Sequence, residues 1–121
     1  MSINSYKDLL VWQKSIRLVK EVYFLTDHFD RSELYGLTNQ MRRCAVSIPS
    51  NIAEGSRRHS LPEYLRFLNI ANGSAAELET QLIIAQDLYA KLDYSSANIL
   101  LEEILKMLCV LIRQLSKIPK T

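Results

Sequence analysis

Few side chains in this 121-residue chain have the types and spacing that chemistry needs. The histidines are His28 and His59, and the cysteines are Cys44 and Cys109. A di-metal centre in a helical bundle draws Glu-x-x-His pairs from two helices. No glutamate stands three residues before either histidine. The cysteines lie in separate apolar stretches and show neither CxxC nor Cys/His ligand spacing, so the common zinc patterns are excluded. Both read as buried thiols in a reducing compartment rather than as a disulfide. Glycine-rich phosphate loops, Walker sequences and nucleophile elbows are also missing from the sequence. The expectation is a protein that is not an enzyme and holds no metal and no cofactor.

Polar residues embedded in apolar stretches carry more information. Asn51 and Glu54 flank an apolar stripe, with Arg42 and Arg43 upstream, and Glu77 and Glu79 stand beside a run of small residues, Ala71 to Ala76. A charge facing inward must be paired, because an unpaired buried charge costs several kcal/mol. Three arrangements are open for Arg42, Arg43, Asn51, Glu54, Glu77 and Glu79. They form a network that fixes the bundle's register, with Arg42 or Arg43 against Glu77 or Glu79; they form a ligand or partner site; or they lie in solvent.

Two basic features stand out. One is Arg57-Arg58-His59, with Arg66 two turns further on. The other is Lys106, Arg113, Lys117 and Lys120, whose spacings of seven, four and three keep them near one face of a helix. Arg57, Arg58, Lys106, Arg113 and Lys117 are therefore candidate contacts to RNA or DNA backbones, against the commoner reading of a solvated face. Net charge is only +2, but it is unevenly spread. Residues 31–60 carry five basic and two acidic side chains, whereas 61–90 carry one basic and four acidic. These regions are able to meet within or between chains.

The elements that must position these residues are helices. Hydrophobic residues make up 48% of the chain, which allows a real core, and only 3 Gly and 3 Pro interrupt it. The length fits one domain, residues 1–121. Apolar spacing of three and four predicts helices at about 6–28, 33–54, 61–89 and 96–117. The first has a core stripe of Leu9, Trp12, Ile16, Val19 and Tyr23, widened by Val11, Leu18, Val22 and Leu25. The second has Leu34, Leu37, Met41, Cys44, Ala45, Ile48 and Ile52. Pro49 is expected to kink or pause it, and Gly55 to stop it. Ser60-Leu61-Pro62-Glu63 is a capping box with proline in the first turn, and Leu61, Leu65, Leu68, Ala75, Leu78, Leu82 and Ala85 follow on one side. Ser95 is the expected cap of the last helix, which is apolar on more than one face. Such a helix must be covered on more than one side, which predicts a subunit contact. Four long helices joined by short loops imply an all-α, antiparallel up-down-up-down bundle. Met1 to Asn4 do not begin a signal-peptide pattern, and no apolar run reaches membrane length. A cytoplasmic protein without a membrane partner is expected.

Four segments carry a family resemblance: Tyr6-Lys7-Asp8-Leu9-Leu10-Val11-Trp12-Gln13-Lys14-Ser15, Leu34-Tyr35-Gly36-Leu37-Thr38-Asn39-Gln40-Met41-Arg42-Arg43, Val46-Ser47-Ile48-Pro49-Ser50-Asn51-Ile52-Ala53-Glu54-Gly55 and Glu77-Leu78-Glu79-Thr80-Gln81-Leu82. In order and spacing they resemble the four helix bundle proteins, also known as the 23S ribosomal RNA intervening-sequence proteins. Cys44 departs from the small apolar residue usual at its position. The resemblance implies a left-handed bundle assembled as a homopentamer, with no enzymatic activity. It also implies a relationship to the accessory variability protein of diversity-generating retroelements, a basic pentameric barrel that binds nucleic acid and a reverse transcriptase. The partners expected on these grounds are other copies of the chain, RNA or DNA, or a protein held on the assembled scaffold.

Overall fold

The computed structural model describes residues 5–119, which excludes Met1 to Asn4, Lys120 and Thr121. Among them are four helices and no strand: α1 (Leu10–Thr26), α2 (Leu37–Ser56), α3 (Leu61–Leu88) and α4 (Ser95–Ser116). Each helix packs on its neighbours in sequence, and α1 closes the ring on α4, giving a four-helix bundle.

The first expected helix is split. Ser5 caps a 3-10 turn, Tyr6–Asp8, by accepting from the Lys7 N–H at 3.2 Å. Leu9 is extended, and α1 begins after it. Its interior stripe is Val11, Ser15, Leu18, Val22 and Leu25. The expected main stripe is instead half-buried or, at Tyr23, exposed. Both stripes repeat by three and four, and the one between α2 and α4 takes the interior. Ser15 and Thr26 sit in the core because their hydroxyls donate to the carbonyls of Val11 and Val22, at 2.6 and 2.7 Å.

Residues Arg31–Glu33 form a second 3-10 turn, so α2 starts four residues later than expected and Leu34 is exposed. No pause occurs at Pro49, and α2 runs through it as one helix. Gly55 is not a left-handed stop, since α2 continues one residue further to Ser56 and no described residue has positive φ. Gly55 is buried where α2 meets α3. A Cβ there would stand 2.7 Å from Phe67 Cβ and 3.1 Å from Tyr64, so glycine serves close approach at this point.

The Ser60 hydroxyl caps α3 as the sequence predicts, accepting from the Glu63 N–H at 3.3 Å. Leu68, Ala71, Ala75, Leu78, Leu82 and Ala85 are buried, whereas Leu61 and Leu65 are half-buried near the helix start. Ala71 and Ala75 let α2 approach, and Ser47 and Ser74 hydroxyls meet at 2.8 Å. Gly73 points outward, with nothing within 4 Å of an added Cβ. Ser95 is the first residue of α4 rather than its cap. The cap position is Tyr94, without a side-chain cap bond, and Asp93 before it accepts from the Ser95 N–H at 3.0 Å and hydroxyl at 2.6 Å. On α4, Ala97, Leu100, Leu101, Ile104 and Leu108 are buried, Leu105, Met107, Leu111 and Ile112 are half-buried, and Ile99 and Val110 are exposed.

Two surface hollows show which helix ends lie together. Tyr6 shares one with Ala53, Glu54 and Arg57, and Leu9, Leu10 and Val11 share another with Met107, Val110, Leu111 and Gln114. The start of α1 is therefore flanked by the end of α2 and the end of α4.

Candidate functional site

The end of the bundle defined by those contacts collects most of the candidate basic residues. Arg57 is exposed at the end of α2, beside Tyr6. Arg58 pairs with Glu54 at 3.0 Å and lies over the Phe67 ring at 4.8 Å. Arg66 lies over the same ring at 4.5 Å and bonds Glu63 at 3.0 Å. The Arg66 guanidinium holds the exposed Glu63 carboxyl below its ordinary range, and that carboxylate raises Arg66 in turn. One aromatic ring is thus shared by two guanidinium groups, a stable platform by cation–π attraction.

Arg113 and Lys117 lie in and just after the last turn of α4, at the end of the bundle where α1 starts, although neither lines the hollow there. Arg113 approaches Cys109 Sγ at 3.5 Å. Lys106 lies two turns earlier, pairs with Glu102 at 3.1 Å and borders the apolar hollow between α1 and α4. Lys120, the last member of that stripe, lies outside the described residues. Exposed i,i+4 pairs such as Arg58–Glu54 and Lys106–Glu102 are held weakly, within about 1 kcal/mol, so a phosphate competes readily with the carboxylate. Among the described residues, Arg57 and Lys117 make no ion pair.

The expected polar network does not form within the chain. Arg42 turns toward α1: its Nε donates to Thr26 Oγ1 at 2.9 Å, its guanidinium stacks on Tyr23 at 4.6 Å, and Asp27 lies 3.9 Å away. Arg43 is exposed, and so are Glu77 and Glu79. The physical reason is phase. Arg42 sits on the α1 side of α2, whereas α3 packs on the opposite side, where Cys44, Ser47 and Asn51 lie. Asn51 donates to the Ser47 carbonyl and hydroxyl at 2.8 and 2.9 Å, so the polar contact between α2 and α3 runs through Ser47, Asn51 and Ser74. The side chains of Ser15, Thr26 and Ser47 were not singled out in the sequence, although a hydroxyl in an apolar run signals a bond to the preceding turn.

Cys44 is buried, and that burial pushes its thiol up, with the neighbouring Glu77 carboxylate adding to the rise. A thiol so placed is a poor nucleophile. Cys109 is exposed, contrary to the expectation of two buried thiols, because the α4 stripe that turns inward is Leu101, Ile104 and Leu108. Gln81 is buried beside Cys44, and its Oε1 accepts no hydrogen bond from the chain. His28 and His59 are exposed at opposite ends of the molecule's hairpins, the former with Nδ1 2.9 Å from the Phe24 carbonyl. No group of three His, Cys, Asp or Glu side chains able to hold a metal occurs among the described residues.

Fold and surface define an all-helical bundle protein with a basic end and scattered exposed apolar side chains. A family model described as 23S rRNA-intervening sequence protein matches residues 7–110, and the chain belongs to that family. The chain is also similar to a solved structure from Bacteroides thetaiotaomicron, described as a protein with unknown function from the S23 ribosomal protein family. The two are 26% identical with a TM-score of 0.77, over 85% of this chain and 98% of that one. No curated protein matches the sequence. No helix among the described residues is long and apolar enough to cross a membrane.

Proposed function

We propose that this chain is a non-enzymatic, self-associating bundle whose basic end holds the phosphate backbone of nucleic acid. The bundle is up-down-up-down and left-handed, and it assembles as a homopentamer in the cytoplasm, where two free cysteines are at home. The supporting observation is that Arg57 and Arg58 at the end of α2, the latter over the Phe67 ring, and Arg113 and Lys117 at the end of α4 all lie at the end of the bundle where α1 starts. Five copies repeat that modest patch, and charges sum over an assembly.

The test is binding to a mixed single-stranded RNA pool across a salt series. Arg57→Glu with Arg58→Glu should abolish retention at low salt, and Arg113→Glu with Lys117→Glu should do the same while helix content is unchanged. Retention that survives both reversals overturns this reading. A protein scaffold is the second reading, favoured by the apolar hollow of about 380 Å³ between α1 and α4, lined by Leu9, Leu10, Val11, Met107, Val110 and Leu111. It predicts capture of a defined polypeptide that Leu10→Asp or Val110→Asp abolishes, with no retention of nucleic acid.

A further inference from the structure

The outer side of α3 has no partner within the chain. Ile70, Ile83 and Ile84 are 41%, 58% and 44% exposed there. Positions 69, 73, 76, 80 and 83 recur by four and three, which places them on one stripe of the helix. All five are exposed, and Gly73 and Ala76 stand between the isoleucines. Gly73 lies in the middle of a 28-residue helix, yet no neighbour in the chain needs it, since an added Cβ meets nothing within 4 Å. Glycine permits close approach of another backbone, and here that approach comes only from outside. Between Phe67 and Ala90 the charges are Glu77, Glu79 and Asp87, with no basic residue among them. None of the three is ion-paired among the described residues.

A complementary surface lies elsewhere on the same molecule. Trp12, Ile16, Val19, Val46, Pro49 and Ala53 line a groove of about 290 Å³ between α1 and α2. Lys20 stands one turn beyond Ile16 and Arg43 one turn before Val46. Both are exposed without an ion pair among the described residues. The groove is therefore apolar with cationic edges, and the α3 stripe is uncharged from Asn69 to Ile83, flanked by Glu77 and Glu79 and continued by Asp87.

A two-fold contact of α3 with α3 would set carboxylates against carboxylates, which is unfavourable. We infer that the outer face of α3, centred on Gly73, docks into the α1–α2 groove of a second copy of this chain. α1 and α3 do not touch, so the two surfaces occupy different sides of the bundle and each copy offers both. Such head-to-tail contacts continue until a ring closes. This surface assignment rests on the self-association proposed above.

Light scattering on the full chain tests it, with circular dichroism as the check on folding. The natural sequence is compared with Gly73→Leu, with Glu79→Lys/Asp87→Lys, with Lys20→Glu/Arg43→Glu, and with all four charge reversals together. The natural chain is expected well above 14.0 kDa. Gly73→Leu and each charge pair should fall to the single-chain mass with unchanged helicity, and the four reversals together should regain the natural mass. If the natural chain assembles and the single-sided variants keep its mass, the surface assignment is overturned while self-association stands. If both pairs dissociate the assembly and the four reversals together fail to restore it, the pairing of these two surfaces is overturned. A natural chain at the single-chain mass overturns self-association and the surface with it.

Discussion

Gly55 and Gly73 both lie within helices, the one in the last turn of α2 and the other midway along α3, with different surroundings. At Gly55 a methyl group meets the Cβ of Phe67 at 2.7 Å. Gly55→Ala should destabilise the fold by about 1–3 kcal/mol, as overpacking of a tight site does. At Gly73 the methyl meets open space, and alanine removes a propensity cost of about 1 kcal/mol. Gly73→Ala should therefore stabilise the chain by up to about that amount, read by urea unfolding at a concentration dilute enough to keep it monomeric. A loss of stability would mean that α3 has a neighbour at Gly73 within the chain. Asp93 gives a prediction in pH. Bonds from the Ser95 hydroxyl and N–H hold its carboxyl below the ordinary carboxylate range. The folded state therefore favours the ionised form, so the stability these two bonds add is complete above the unfolded carboxylate pKa. It fades as pH falls through Asp93's own lower value. Asp93→Asn should flatten that part of the acid-unfolding profile, and an unchanged profile would remove Asp93 from it. At this scale the sequence was legible only where an interaction is local. Ser60 and Glu63 sit three apart, and the Glu63 N–H donates to the Ser60 hydroxyl as expected, while the Glu63 carboxylate turns to Arg66 instead of completing the capping box. Arg42 found Thr26, Asp27 and Tyr23 instead of an acid on α3, because its partner depends on which side of α2 each neighbour takes. Cys109 was misread for the same reason, since an apolar sequence neighbourhood does not say which flank faces in.

The helices illustrate how capping and packing divide the work. α3 has the clearest start, and Ser60→Ala should cost about 1 kcal/mol, the usual worth of an N-cap, measured by urea unfolding. Its interior is set by Leu68, Leu78 and Leu82, all buried against α2 and α4. Leu78→Ala should cost about 2–5 kcal/mol, the range for a buried leucine that leaves a cavity. A cost below 1 kcal/mol at Leu78 would show that α3 is not seated as described. Helix existence was readable throughout, because four long apolar repeats with few breakers leave no alternative. The ends were harder. Tyr6–Asp8 and Arg31–Glu33 form 3-10 turns, whose side chains continue the apolar spacing without continuing the helix. Pro49 and Gly55 look like breakers one residue at a time. In the fold Pro49 packs into the α1–α2 surface and Gly55 admits α3, so tertiary contact overrides both signals.

The whole molecule separates charge more than its net of +2 suggests. Arginines and a lysine gather around one end, while the outer side of α3 carries unpaired carboxylates. The sequence displayed this imbalance by segment but not its geometry, because the Arg57–Arg58 pair and the Arg113–Lys117 pair are more than 50 positions apart and come to the same end of the bundle, on opposite sides of α1, only when α2 and α4 both end beside the start of α1. If the basic end holds nucleic acid, each arginine removed should lower the slope of log affinity against log salt by about 0.7 on single strands. An unchanged slope for Arg57→Ala/Arg58→Ala would place the contact elsewhere. The most direct measurement is mass in solution by light scattering, at low and high salt, with and without a mixed RNA and DNA pool. The expected result is an assembly of five 14.0 kDa chains that gains mass with nucleic acid at low salt and loses the addition at high salt. A single chain of 14.0 kDa under every condition would contradict both the assembly and the nucleic-acid role.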